Sequence, residues 1–384
     1  MQPANATGRN TIVERGRYLA ALGDCVVCHT VPGMQAWFAG GYPLHSRFGT
    51  IYSTNITPDP TTGIGRWTQE QFYHALHEGK SPGGRHLYPA FPYVYFSRLS
   101  RKDSDALYAY LQTLRPIHYT PPRNSLIFPT NLRFGMAIWN WLFVDKAAPK
   151  SEDTHTQRGR GARLVHGIAH CGGCHTPKNF LFADLEDHYL EGATIDGWFA
   201  PSLRNDKSGI GNWSAADLEI FLRTGKNRFG RAVGSMQDVI ATATSRMTVS
   251  DRTAIVAYLK SLPPSREATP SSPPPKDIMA AGRAVFAQRC SICHDDTRNY
   301  PALAKNSVVL QTDPATLLRV ILQGSQSLGD GRNAAGFSMP AFPTLSDSEL
   351  GSLATFVRNS WGNAAGLVSQ KQARTLRKLL EAKF

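Results

Sequence analysis

Six cysteines occur in the 384 residues, and each belongs to a Cys-x-x-Cys-His unit: Cys25-Val-Val-Cys28-His29, Cys171-Gly-Gly-Cys174-His175 and Cys290-Ser-Ile-Cys293-His294. Two residues between the thiols let both sulfurs reach the two vinyl groups of one haem from a single helical turn. The adjacent imidazole is then held beneath the iron. A zinc site wants two such pairs close enough to form one tetrahedron. These pairs begin 146 and 119 residues apart, each with its own histidine. A thioredoxin-like dithiol explains one Cys-x-x-Cys, not three copies always followed by His. The reading is three covalent haems c, bound through Cys25, Cys28, Cys171, Cys174, Cys290 and Cys293, with His29, His175 and His294 as iron ligands.

Seven methionines are available for the other face of each iron, where Met raises the potential and a second His or a vacancy changes the behaviour. In the third unit Met339, in Met339-Pro-Ala-Phe342, is the candidate, against the plain alternative of a core-filling Met. The second unit offers Met236 in Gly234-Ser-Met-Gln-Asp238, on a loop free to approach the iron. Met247, just before a helix, is its alternative. The first unit has only Met34, directly after the attachment motif and on the wrong side, and it carries Tyr88-Pro-Ala-Phe91 where the third has Met-Pro-Ala-Phe. Its haem is expected either to be ligated by His86 or to lack a strong protein ligand. A lone His is otherwise an ordinary surface or core residue.

The elements that must position these groups repeat along the chain. A Gly and a short helical pattern precede each motif: Gly16-Arg-Tyr-Leu-Ala-Ala-Leu22, Gly161-Ala-Arg-Leu-Val165 and Gly282-Arg-Ala-Val-Phe286. Gly63-Ile-Gly-Arg-Trp-Thr68 recurs as Gly209-Ile-Gly-Asn-Trp-Ser214, each a turn leading to a Thr or Ser helix cap. Amphipathic helices, spaced in threes and fours, close the units at 103–114, 251–262 and 347–357. The fold class is all-α: three tandem small cytochrome c-type domains at 1–150, 151–266 and 267–384, with extended loops and Pro-rich linkers. The linkers are the polar stretch 145–157 and the Pro-rich stretch 262–276. Only 18% of residues are charged, while Gly (33) and Pro (25) are plentiful, which suits loops wrapped over a flat apolar macrocycle and short helices.

The formal charge of +13 is offset in part by haem propionates, but a basic surface remains. It would steer an acidic protein partner or rest against anionic lipid. Nucleic acid is not expected, because Lys and Arg are scattered and no recognition motif accompanies them. Haem attachment takes place outside the bacterial cytoplasmic membrane, so the chain is expected to be exported to the periplasm, peripheral on the outer face of that membrane. The start lacks a basic segment and an apolar segment and reads as a mature N-terminus without its signal peptide. The most apolar run, 134–143, is half the roughly 20 residues that a span needs. Trp139, Trp141 and Phe143 could form a docking face for a catalytic subunit or the membrane, or belong to a helix packed between the first two domains. The basic helix 370–384, with Leu376, Leu379, Leu380 and Phe384 on one side, could lie on an anionic bilayer or be a plain terminal helix.

The runs Leu22-Gly-Asp-Cys-Val-Val-Cys-His-Thr30, Gly49-Thr-Ile-Tyr-Ser-Thr-Asn-Ile-Thr-Pro-Asp59, Leu87-Tyr-Pro-Ala-Phe-Pro-Tyr93, Cys171-Gly-Gly-Cys-His-Thr-Pro177, Ala200-Pro-Ser-Leu-Arg-Asn-Asp206 and Ser360-Trp-Gly-Asn363 resemble the three-haem cytochrome c subunit of bacterial periplasmic, membrane-associated dehydrogenases. The resemblance covers nearly the whole chain. It implies an electron-transfer subunit with no substrate chemistry of its own, passing electrons from a catalytic subunit to membrane ubiquinone or another acceptor. The implied catalytic partner is a quinoprotein alcohol dehydrogenase, a flavin sugar or sugar-acid dehydrogenase, or a molybdenum hydroxylase with an iron–sulfur small subunit acting on aldehydes or N-heterocycles. The run 128–143 and the short tail tilt the resemblance towards the molybdenum type. Met236 matches a Gly-Gly-Met-x-Asp segment of the alcohol dehydrogenase partners. Several members carry Met where this chain has Phe91 or Leu99, so an ordinary His/Met first haem does not carry over. The alternatives are a free periplasmic shuttle, or a haem peroxidase-type enzyme with an open first iron near His86 or Arg85.

Overall fold

The computed structural model describes residues 6–144, 155–195, 197–265, 272–295, 302–325 and 338–381. Sixteen α-helices and seven strands lie among them, and no strand exceeds four residues. The helices start where the sequence supplies a cap. Thr68, Ser214 and Ser346 each accept a hydrogen bond from the backbone N–H three residues on, and Gln71, Asp217 and Glu349 reach back to complete capping boxes. An expectation of helices alone misses three small antiparallel sheets. Pro43–Ser46 pairs with Gly49–Tyr52, which also pairs with Ser125–Leu126. Ala193–Ile195 pairs with Trp198–Ala200, and Lys226–Asn227 with Gly230–Arg231. Each is too short to show the period-two pattern that marks a strand in sequence.

Two compact units result, Met1–Gly173 with Asp238–Tyr258, and Cys174–Gln237 with Leu259–Phe384. In the first, the helix Ala6–Leu22 crosses Arg101–Leu111, and the helix Gln157–His166 crosses the helix Val249–Ser261. Both crossings occur at a glycine. A Cβ on Gly16 would lie 1.9 Å from the Ala106 carbonyl oxygen and 2.7 Å from the Tyr110 Cβ, and one on Gly161 would lie 1.9 Å from the Ala254 oxygen and 2.8 Å from the Tyr258 Cβ. The buried carboxylate of Asp251 links the two crossings. It accepts from the Tyr18 hydroxyl on the first (2.5 Å) and from Arg160 Nε on the second (2.6 Å).

In the second unit the helix Lys276–Arg289 crosses Asp347–Arg358 in the same way, with a Cβ on Gly282 2.1 Å from the Ser352 oxygen and 2.7 Å from the Phe356 Cβ. The three glycines that precede the three Cys-x-x-Cys-His motifs are thus three close backbone contacts, each followed one turn later by an aromatic residue on the crossing helix. Around the third crossing, Leu318, Leu350 and Leu353 are buried, and Phe286, Phe356 and Trp361 meet with centroids 5.2–5.6 Å apart. The helix Gln370–Glu381 turns Ala373, Leu376 and Leu380 into this same core. Arg374 and Arg377 pair with Asp347 at its edge. Of the apolar stripe that could have met a bilayer, Leu376 and Leu380 therefore pack inside the protein while Leu379 stays exposed; Phe384 lies outside the described residues. No described helix is long and apolar enough to cross a membrane.

A side chain at a glycine crossing must push two helices apart, which costs about 1–3 kcal/mol. Gly282→Val is expected to lower the midpoint of thermal unfolding. Gly135→Ala, where a Cβ meets nothing within 4 Å, is expected not to lower it. Equal midpoints for Gly282→Val and the parent would refute the crossing argument.

Candidate haem-attachment sites

Each cysteine motif forms one helical turn, over Cys25–Cys28, Gly172–His175 and Ser291–His294. No disulfide joins the six cysteines. Burial pushes the Cys25 thiol up to about 12 and the Cys290 thiol to about 11. A catalytic dithiol needs the opposite, a depressed pKa that yields thiolate near neutral pH. These sulfurs are suited to a structural bond rather than to exchange.

The histidines are aimed by the backbone. His29 Nδ1 lies 2.6 Å from the Thr54 carbonyl oxygen, and His175 Nδ1 lies 2.6 Å from the Pro201 oxygen. A carbonyl only accepts, so Nδ1 carries the proton and the Nε2 lone pair is left for a metal. Burial lowers the pKa of both rings, with the carbonyl bond partly opposing, and so favours the neutral form that ligation needs. A second bond recurs at both sites, from Gly40 N–H to the His29 oxygen and from Gly192 N–H to the His175 oxygen, each at 2.8 Å. Sequence reasoning missed Thr54 and Pro201. Their signal was positional, since they stand 25 and 26 residues after the two histidines. His294 sits beside Cys290, which packs against the core of the third crossing.

Two candidates for the opposite face, His86 and Met339, fall at equivalent places, and Met236 follows five residues after the corresponding position in the second unit. The helices Gln69–Glu78, Ala215–Thr224 and Ala315–Gln323 each end at a glycine, and the next residue bridges antiparallel to the following loop: Lys80 to His86, Lys226 to Arg231, Ser325 to Met339. Met339 is held there by two backbone bonds to Ser325 (2.9 and 3.0 Å) and packs against the same core as Cys290. Met236 is half-buried at the start of Ser235–Thr242, after Gly234, which lies against the Trp198 ring. Met247 is buried and belongs to the unit that holds His29, whereas Met236 belongs to the unit that holds His175. Met34 is exposed.

His86 occupies the bridging position that Met339 holds, but its ring is differently engaged. The Asn140 side chain is oriented by the Tyr93 hydroxyl, which donates to its Oδ1 (2.5 Å), and by the Glu78 carbonyl on its amide nitrogen (3.5 Å). That nitrogen therefore donates to His86 Nδ1 at 3.2 Å. With Nδ1 accepting, the neutral ring carries its proton on Nε2, the reverse of His29 and His175.

Two further groups beside the motifs had no signal in the sequence. Asp24 is buried in a left-handed turn directly before Cys25 and accepts from the Thr242 hydroxyl at 2.5 Å. Burial raises its carboxyl to about 7, with the Thr242 bond opposing and the charge of Asp238 adding. His170, directly before Cys171, bonds through Nδ1 to the Ile168 carbonyl (3.0 Å) and lies edge-on to Phe96.

Comparison with known proteins places these motifs in context. Residues 277–357, which include the third crossing, match the family model described as cytochrome C oxidase, cbb3-type, subunit III. The chain is 37% identical over 398 residues to the cytochrome c subunit of the quinone alcohol dehydrogenase of Gluconacetobacter polyoxogenes, covering 96% of this chain and 84% of that one. It is also 37% identical over 405 residues to the gluconate 2-dehydrogenase cytochrome c subunit of Pantoea cypripedii, covering 98% and 91%. The chain belongs to the cytochrome c subunits of bacterial dehydrogenases. This cytochrome c subunit is further similar to one component of the nicotinate dehydrogenase of Pseudomonas putida, 39% identical over 383 residues that make up 94% of this chain and 32% of that longer protein. Membership implies covalent haem c and electron transfer from a dehydrogenase catalytic subunit.

Because Asp24 is more basic in the folded than in the unfolded cytochrome, its protonated form stabilises the fold. That contribution is complete below about pH 4 and is lost as pH rises through about 7. Asp24→Asn, a permanent mimic of the protonated acid, is expected to gain about 4 kcal/mol over the parent at pH 8 and almost nothing at pH 4. Urea titrations at the two pH values check this. Substituting His86 by Ala is expected to leave the low-spin haem absorption unchanged; a new high-spin band would make His86 an iron ligand after all.

Proposed function

We propose that this chain is a three-haem electron relay, with the haems held in three tandem cytochrome c-type domains (1–150, 151–266 and 267–384). The attachment points are Cys25/Cys28, Cys171/Cys174 and Cys290/Cys293, with His29, His175 and His294 on the proximal side. Met236 and Met339 would supply the second ligand to the second and third irons, and the first would lack a strong protein ligand, His86 being otherwise engaged. The observation that carries the reading is the matched pair of imidazoles, His29 and His175, each with Nδ1 tied at 2.6 Å to a backbone carbonyl and Nε2 left for iron. The three glycine crossings, one ahead of each motif, support the count of three.

Haem, when bound, supplies an iron that changes charge by one electron. The residues of the chain hold and tune it. The thioethers fix each ring to a helical turn, and the carbonyls of Thr54 and Pro201 set the direction and basicity of two imidazoles. The Nε2–H of His86 is a proton donor rather than a metal ligand, which argues for the vacant option at the first haem. The relay accepts electrons from a catalytic subunit in the periplasm and delivers them to ubiquinone or another acceptor at the membrane. That subunit is proposed to be a molybdenum and iron–sulfur enzyme acting on aldehydes or N-heterocycles, ahead of a quinoprotein alcohol dehydrogenase. The apolar run 128–143, the short tail and the similarity to a nicotinate dehydrogenase component favour this order.

Affinity purification from native membranes tests the proposal. The expected result is a larger partner that contains molybdenum and iron–sulfur clusters and whose substrate reduces the haems. A monomeric cytochrome with no such partner would favour the free shuttle and refute the relay subunit.

A further inference from the structure

Between Ile127 and Leu142 the first unit presents an apolar surface that nothing in the electron relay uses. The helix Gly135–Phe143 buries Trp139 and Asn140 and turns its opposite side outward. Phe134, Ile138, Trp141 and Leu142 stand on that side at helical spacing, with Phe134 and Trp141 71% and 75% exposed. The preceding turn adds Ile127 and Phe128, the latter 77% exposed. Its backbone is fixed, with Ile127 N–H bonded to the Phe48 oxygen, Asn131 N–H to the Ile127 oxygen and Leu132 N–H to the Pro129 oxygen. The face is therefore held in place rather than waiting to collapse.

Along the chain the charges that flank it are basic, and an acid, Glu78, lies behind the helix, where its carbonyl meets Asn140. From residue 106 to 144 there is no Asp or Glu, while Arg115, Arg123 and Arg133 are present, and the hairpin 43–52 that pairs with Ser125–Leu126 carries Arg47 and no acid. Arg133 is held by the His86 carbonyl (2.9 Å) and the Tyr88 ring. Bulky aromatic and aliphatic side chains on a helix of nine residues, with Arg133 beside it and Arg47 on the hairpin bonded to Ile127, have the composition of a segment that lies in the plane of a bilayer interface. A helix that short cannot cross the membrane. Anionic headgroups complement these arginines, and acyl chains accept the aromatic residues.

We propose that this face, Ile127, Phe128, Phe134, Ile138, Trp141 and Leu142 with its flanking arginines, is the surface through which the protein binds an anionic bilayer. The terminal helix is a poorer fit, since Ala373, Leu376 and Leu380 are buried in the core and only Leu379 of its apolar side is exposed. The inference builds on the membrane-side placement proposed above, and vesicle binding can fail while the haems still accept electrons, so the two ideas fall separately.

The test uses the haem-loaded full chain with vesicles of phosphatidylglycerol and phosphatidylethanolamine, compared with phosphatidylcholine alone. The expected result is cosedimentation with the anionic vesicles that weakens with salt. Both Phe128→Ser/Phe134→Ser/Trp141→Ser and Arg47→Gln/Arg123→Gln should bind ~10-fold more weakly, with unchanged haem absorption. In the otherwise unaltered protein, lipids brominated near the headgroup should quench tryptophan fluorescence, and Trp141→Phe should remove most of that quenching. Failure of the parent chain to bind anionic vesicles would overturn the proposal, as would undiminished binding of the aromatic variant. If that variant lost a copurifying catalytic partner while keeping its vesicle binding, the proposal would also be overturned and the face assigned to a protein partner.

Discussion

A neutral imidazole has one proton and one free lone pair, and the group that takes the proton decides where the lone pair points. In this protein that decision is made by the backbone. The carbonyls of Thr54 and Pro201 hold the Nδ1 protons of His29 and His175 at 2.6 Å, so Nε2 is the nitrogen presented to a metal. Because the acceptors are main-chain atoms on loops folded back over the motif, the whole path of those loops serves to orient two rings. His86 shows the converse. An amide donor from Asn140 reaches its Nδ1, so the neutral ring carries its proton on Nε2, the nitrogen that His29 and His175 keep free.

Fixing the rings requires that the motifs themselves stay in place, and this is achieved by helix crossings without side chains between them. At Gly16, Gly161 and Gly282 the crossing helix brings a carbonyl oxygen to within about 2 Å of where a Cβ would stand. Such contact leaves little freedom for the helix that leads into each cysteine pair. Asp251 adds a shared anchor for the first two crossings through Tyr18 and Arg160. The result is a frame in which small helices, loops and hairpins are positioned by a few backbone contacts rather than by one large core.

The chemistry was more legible in the sequence than the packing, and the reason lies in range. Cys-x-x-Cys-His is a local pattern whose spacing is itself the chemical requirement, so the motifs could be read directly, and full-length similarity to cytochrome c subunits agrees with that reading. Gly16, Gly161 and Gly282 stood out as a repeat, but what they make room for lies some 70 to 93 residues away. Thr54 and Pro201 contribute only backbone atoms, which leave no mark on residue type. The tautomer of His86 is set by Asn140, 54 residues later. The terminal helix illustrates a different limit. Its amphipathic pattern announced a buried stripe, yet a stripe on Leu376 and Leu380 reads the same whether it meets a bilayer or a protein core, and here it meets the core. The hairpins were invisible because two to four residues carry no periodicity.

The account stands on covalent haem at three separate motifs. Mass spectrometry of the denatured protein, after synthesis in a host competent for cytochrome c maturation, tests that most directly. Three haem masses added to the polypeptide, falling to two when Cys25 and Cys28 are both replaced by Ala, is the predicted result. A mass equal to the bare polypeptide, or an unchanged haem number in that double variant, would contradict it.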